Sequence, residues 1–158
     1  MSPTLLVALI GLCAGAEPDP WDFDKLTATV NGKGETTDAL SAAALAQLGL
    51  TLEATMTVNV SAHPNTVGGV TLRIQDPSDP AGVCDLYAKR EGDHLVYTDS
   101  RCSFPVFTGT LRSRATCRKI TGTAKRVKKT VALDGSSPDC TAQPMGLPLT
   151  VRASVSSK

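Results

Sequence analysis

Basic residues are the side chains in this sequence whose type and spacing are best suited to binding another molecule. Eight of them, and no acid, fall within residues 111–130. Arginines at alternate positions of a strand place guanidinium groups about 6.7 Å apart, and the guanidinium fork matches phosphate, sulfate or carboxylate. The sequence therefore predicts an anion-binding face made of Arg112, Arg114, Arg118, Lys119, Lys125, Arg126, Lys128 and Lys129.

The distribution of charge supports a second interpretation of this cluster. Residues 17–83 carry nine acids and three bases, whereas residues 84–158 carry six acids and thirteen bases. The two halves attract each other, so the basic face would instead neutralise the acidic half and protect a sheet edge from aggregation. Nucleic acid is disfavoured as the partner, because aromatic side chains on which bases stack make up only 4% of the chain.

The cysteines predict structural crosslinks rather than metal or redox chemistry. Successive spacings of 18, 15 and 23 residues separate the last four, with no C-x-x-C and no nearby histidine pair, which disfavours zinc. If the chain reverses at residues 92–93, the hairpin register places Cys84 opposite residue 101 or 102. A reversal at residues 128–129 sets the last two directly opposite. Sequential disulfides are therefore predicted, Cys84 with Cys102 and Cys117 with Cys140.

Catalysis is disfavoured because the sequence lacks the motif and the bases that would activate a nucleophile. The sequence has no G-x-S-x-G, and its two histidines, His63 and His94, fall in turns. Carboxylates are grouped only in loops, where nothing predicts the burial that acid/base chemistry requires. We therefore predict a protein that is not an enzyme and has no metal or cofactor.

The elements that position these residues are mainly strands. Residues 50–61 alternate apolar and polar side chains without a break, which indicates a strand with one buried face. Shorter alternating runs precede and follow, and the last, residues 147–155, is expected to pair with the first, residues 25–31. The only helix is predicted within residues 36–48, with a leucine stripe that must pack on the sheet.

Together these elements predict a mainly β fold: an antiparallel meander of about eight strands that closes as a small barrel or barrel-like sandwich, with one short helix. An open sheet with the helix across one face is the alternative. A closed barrel also encloses an interior. The residues predicted to line an apolar cavity there are Leu52, Met56, Leu72 and Leu86.

The start of the chain has the pattern of a targeting segment. Residues 5–13 form an apolar run that is too short to span a bilayer but has the length of a signal-peptide core, although no Lys or Arg precedes it. Small residues follow, which predicts cleavage after Ala16. Residues 1–16 are then a signal peptide, and residues 17–158 a single disulfide-stapled β domain without a transmembrane span. A lipoprotein acylated at Cys13 is the alternative.

Two functions follow as hypotheses. The first is an exported or cell-envelope binding domain whose basic face engages an anionic glycan or lipid headgroup. The second is a lipocalin-like carrier of a small apolar ligand in the barrel interior. The run VCDLYAKREGDHLVYTDSRC resembles a pattern common in small exported bacterial β-proteins, in which a glycine turn joins two short strands bounded by cysteines. The expected location is therefore the periplasm, the outer surface or the medium.

Overall fold

The protein is a closed eight-stranded antiparallel barrel. The computed structural model describes residues 15–108, 111–143 and 149–158, and within these ranges all side chains except those of residues 99, 104–108 and 111–114. The strands, in chain order, are β1 (Phe23–Thr36), β2 (Glu53–Pro64), β3 (Val70–Gln75), β4 (Val83–Glu91), β5 (His94–Thr108), β6 (Leu111–Val127), β7 (Thr130–Ala142) and β8 (Leu149–Ser157). Each strand pairs with the next, and β8 returns to β1. The predicted meander and its closure are confirmed, and the open sheet is wrong.

The register of the strands fixes the width of the barrel. A path around the barrel can be traced from Ala54 on β2 by stepping from each residue to its partner on the next strand. After one circuit the path returns to β2 at Pro64 and not at Ala54. Such a stagger requires the strands to tilt against the barrel axis, typically by roughly 35–45°. Eight strands tilted in this way enclose an interior that side chains can fill or that can hold one small ligand.

The two ends of the barrel differ. The hairpin end carries the β2–β3, β4–β5 and β6–β7 turns together with the chain that precedes β1, and the helix end carries α1 (Ala39–Gln47) and the β3–β4 loop. The β6–β7 reversal lies at residues 128–129, as predicted, although it contains no typical turn residue. Lys128 supplies the turn by adopting a left-handed conformation, with φ 56°.

The interior contains two groups of buried side chains. The hairpin-end core includes Trp21, Val60 and Leu72, and the helix-end core includes Leu52 and the Cys117–Cys140 pair. Period-two alternation places the strand residues of both cores inside, because successive residues of a strand point to opposite faces, whereas Trp21 and Leu52 precede β1 and β2. The barrel is therefore packed from both ends.

The predicted end of the first strand is wrong, and so is the predicted packing of the helix, although the helix lies within the predicted range. The first strand does not stop at Asn31 but continues to Thr36, because β1 pairs with β2 on one edge and with β8 on the other. The helix starts at Ala39, after Asp38 accepts a hydrogen bond of 2.7 Å from the backbone N–H of Ser41. No residue of α1 is buried, and Leu40 is 85% exposed.

The predicted leucine stripe therefore does not exist as a packed face. Among the leucines of α1, only Leu45 packs against the helix-end core, and it is only partly buried there. No helix in the described part of the chain is both long enough and apolar enough to cross a membrane.

Candidate functional site

A cavity of about 140 Å³ lies inside the barrel and is bordered by residues of both cores. Three of the four predicted cavity residues, Leu52, Met56 and Leu86, border it. The fourth, Leu72, is fully buried but packs within the hairpin-end core and does not border the cavity. Most of the other bordering side chains are also aliphatic or are cysteines, so the cavity is suited to an apolar molecule.

Small residues on neighbouring strands create this space. Gly32 pairs with Ala54 on one side and with Val155 on the other, and all three border the cavity. A Cβ atom added at Gly32 would have only the Ala54 carbonyl oxygen within 4 Å, at 3.7 Å. At Gly34, by contrast, a Cβ would lie 2.9 Å from the Leu52 Cβ. The free space is therefore beside Gly32. In the sequence the Asn31-Gly32 pair indicates a turn, but Gly32 lies within β1.

Tyr97 fills the opposite side of the barrel. Its hydroxyl donates a hydrogen bond of 2.8 Å to the Asp134 carbonyl oxygen. Two glycines leave room for the ring, because a Cβ at Gly122 or Gly135 would lie 2.5 or 2.7 Å from the Tyr97 hydroxyl. The tyrosine thus forms one wall of the cavity and ties β5 to β7 across β6.

The stability of the barrel is expected to fall in alkaline solution because of Tyr97. Burial, and then the Asp134 carboxylate, raise the pKa of Tyr97 above its ordinary value of 10.0. The unfolded chain therefore loses this proton at a lower pH than the folded protein. The stabilisation is complete below pH 10.0 and is lost as the pH rises further, by up to about 1.4 kcal/mol per pH unit.

Urea unfolding of the wild type and of Tyr97→Phe between pH 9 and 11 measures this effect. The difference in the free energy of unfolding between the two proteins should shrink as the pH rises. Tyr87→Phe is the control, because Tyr87 is exposed on β4. Parallel pH profiles for the wild type and Tyr97→Phe would contradict the prediction.

One buried carboxylate borders the cavity. Asp76 follows β3 at the helix end and is 8% exposed. Its Oδ1 accepts hydrogen bonds from the backbone N–H and the hydroxyl of Ser78, at 2.8 and 2.7 Å. Its Oδ2 is buried and has no hydrogen-bond partner among the described residues. In the sequence Asp76 begins a proline-rich stretch, which is typical of a loop, although it continues the inward alternation of Val70, Leu72 and Ile74.

The site therefore combines an apolar cavity, a tyrosine wall and a buried carboxylate. Comparisons with protein-family models, curated proteins and solved structures found no match. Function must consequently be inferred from the geometry. Among the described residues, no three His, Cys, Asp or Glu side chains are grouped as a metal site requires.

The six predicted anion-binding residues whose side chains the structure describes do not form one patch. Arg118 and Lys119 are exposed next to Cys117, whereas the remaining lysines and Arg126 lie at the hairpin end. Along an extended strand the distance from Arg118 to Lys128 is roughly 30 Å. The side chains of Arg112 and Arg114 lie outside the described part of the structure, so the predicted row of arginines is not tested.

Two of these basic side chains are engaged within the protein. Lys125 Nζ lies 2.6 Å from Asp93 Oδ2, and this contact and then His94 lower the pKa of Asp93. Arg126 donates a hydrogen bond of 2.7 Å to the Pro20 carbonyl oxygen, and its guanidinium lies 5.4 Å from the centre of the Phe23 ring. The Arg126 contacts fit the interpretation that basic residues hold the acidic N-terminal part of the chain, whereas Lys125 neutralises a carboxylate in the β4–β5 turn.

Both predicted disulfides are confirmed. The α-carbons are 4.9 Å apart in the Cys84–Cys102 pair and 4.0 Å apart in the Cys117–Cys140 pair. The second pair is directly opposed in the β6–β7 ladder, as the hairpin register predicted. Two disulfides in one domain are typical of proteins that fold in an oxidising, exported environment. Residues 1–14, including the predicted acylation site at Cys13, lie outside the described residues.

Proposed function

We propose that this protein is a non-enzymatic carrier that holds one small apolar molecule inside its barrel. The observation that carries the proposal is the cavity of about 140 Å³ beside Gly32. An engineered apolar cavity of about 150 Å³ binds benzene. The expected ligand is therefore the size of a single ring or a short alkyl chain.

The interior is favoured over the basic face as the binding site. The described basic residues are spread along β6, and Lys125 and Arg126 already have partners. Binding of an anionic glycan or lipid headgroup stays a prediction. A salt titration of binding to anionic liposomes tests it, since binding through exposed charges weakens as salt is added.

We further propose that the protein works outside the cytoplasm, in the periplasm, on the outer surface or in the medium. The two disulfides support this location, because they persist in oxidising compartments. Mass spectrometry of the protein from its native host should find an N-terminus at Glu17. An acylated Cys13 at the N-terminus would instead support a lipoprotein.

Filling the cavity is expected to abolish binding without unfolding the protein. In Gly32→Val the added methyl groups enter the free space beside Ala54, so toluene should no longer bind. The free energy of unfolding should stay the same or rise, because valine favours strands and buries apolar surface. Titration with toluene, followed in the NMR spectrum of the labelled protein, measures the binding, and urea unfolding measures the stability.

Thr57→Val is the matched control. It places the same side chain on the exposed face of β2 and should leave toluene binding unchanged. Absence of toluene binding in the wild type, or equal binding in Gly32→Val, would contradict the proposed function.

A further inference from the structure

We infer that the ligand is an apolar ring or short chain that carries one protonated amine, which pairs with Asp76. This inference rests on the proposed function and specifies the chemistry of the same cavity. It follows from the buried carboxylate at the border of an otherwise largely apolar space.

The hydrogen bonding of Asp76 is incomplete. Ser78 supplies two donors to Oδ1, whereas Oδ2 has none and is shielded from water. A buried carboxylate oxygen without a donor loses its hydration and gains nothing in return. Buried polar atoms are nearly always satisfied, so an orphaned oxygen calls for a partner that the described part of the chain does not provide.

The position of Asp76 makes a ligand a suitable partner. The carboxylate lies where β3 ends, next to Gly82, and both residues border the cavity. Because Oδ2 is shielded from water, pairing with a ligand requires the carboxylate to turn toward the cavity. An ionised carboxylate only accepts hydrogen bonds, so the matching ligand group must be a donor.

Charge selects an ammonium group among the possible donors. Among the residues that the structure describes, two others with a charge border the cavity, Lys33 and Glu53, and the side chains of both are exposed to solvent. Asp76 is thus the buried charge at the border, and its field favours a cation over an anion. Hydrogen bonds between charged groups in such sites are also stronger than those between neutral groups.

Four ligands of matched size test the inference: toluene, benzyl alcohol, benzylamine and benzoate. At neutral pH, where the amine is protonated, benzylamine should bind the wild type about tenfold to a hundredfold more tightly than toluene. Benzoate should bind more weakly than toluene. In Asp76→Asn the preference for benzylamine over toluene should disappear, and circular dichroism with urea unfolding shows whether the variant is folded.

Glu53→Gln is the matched control, because it removes the same charge from an exposed side chain at the border of the cavity. It should retain the preference for benzylamine. Loss of the preference in Glu53→Gln but not in Asp76→Asn would overturn the inference, as would benzyl alcohol binding as tightly as benzylamine. Toluene binding without any preference for benzylamine would overturn this inference alone, whereas failure of all four ligands to bind would contradict the proposed function.

Discussion

Replacing Trp21 with alanine is expected to lower the free energy of unfolding by about 3–5 kcal/mol. The side chain is 3% exposed and belongs to the hairpin-end core, although it precedes the first strand. It closes this end of the barrel, so its loss would leave a cavity and expose the residues beneath it.

Several contacts hold the Trp21 segment in place. The Trp21 backbone N–H donates a hydrogen bond of 2.9 Å to Asp19 Oδ1, and Asp19 forms a two-point ion pair with Arg90 on β4. The hydrogen bonds from Arg90, followed by that from Trp21, lower the pKa of Asp19. These surface contacts orient the segment, but burial of the indole supplies most of the stability, because exposed ion pairs contribute little.

Urea unfolding followed by circular dichroism measures the effect of Trp21→Ala. Trp21→Phe should recover much of the loss, and Leu40→Ala should change stability by less than about 0.5 kcal/mol, because Leu40 is exposed on α1. Trp21 is the only tryptophan in the chain, so its fluorescence in the wild type reports this site alone. Emission typical of a solvated indole in the folded wild type would contradict the prediction.

Removing the Cys117–Cys140 disulfide is expected to lower the free energy of unfolding by about 3 kcal/mol. The bond closes a loop with a sequence separation of 23 and so restricts the unfolded chain. Both cysteines are fully buried in the helix-end core, so replacement by alanine also removes packed sulfur atoms. Cys117→Ala/Cys140→Ala should therefore unfold at a lower urea concentration than the wild type.

The first disulfide provides a comparison. Cys84→Ala/Cys102→Ala opens a loop of similar length, with a sequence separation of 18, and should cost a similar amount. A reducing agent added to the folded protein should act slowly on Cys117–Cys140, because its sulfur atoms are shielded from solvent. An unchanged urea midpoint in either double variant would show that the corresponding bond does not stabilise the barrel.

Much of the architecture could be predicted from local patterns. Unbroken alternation in β2 indicated a strand with one buried face, because side chains of a strand point alternately to its two sides. The reversal at residues 128–129 fixed which residues of β6 and β7 oppose each other, and hence the Cys117–Cys140 pair. The helix was located from the spacing of its apolar residues, but its exposure could not be predicted, since burial depends on what the strands leave uncovered.

The sequence by itself determined that the strands follow one another as an antiparallel meander and which cysteines pair. These features depend on period-two alternation and on hairpin register. Only the tertiary structure decided where the interior is filled and where it is open. Tyr97 meets Gly122 and Gly135, whereas Gly32 faces open space, although each glycine lies on a strand that alternates in the same way. The occupied volume depends on side chains from distant strands, so the cavity and the buried Asp76 at its border emerge only when the barrel closes.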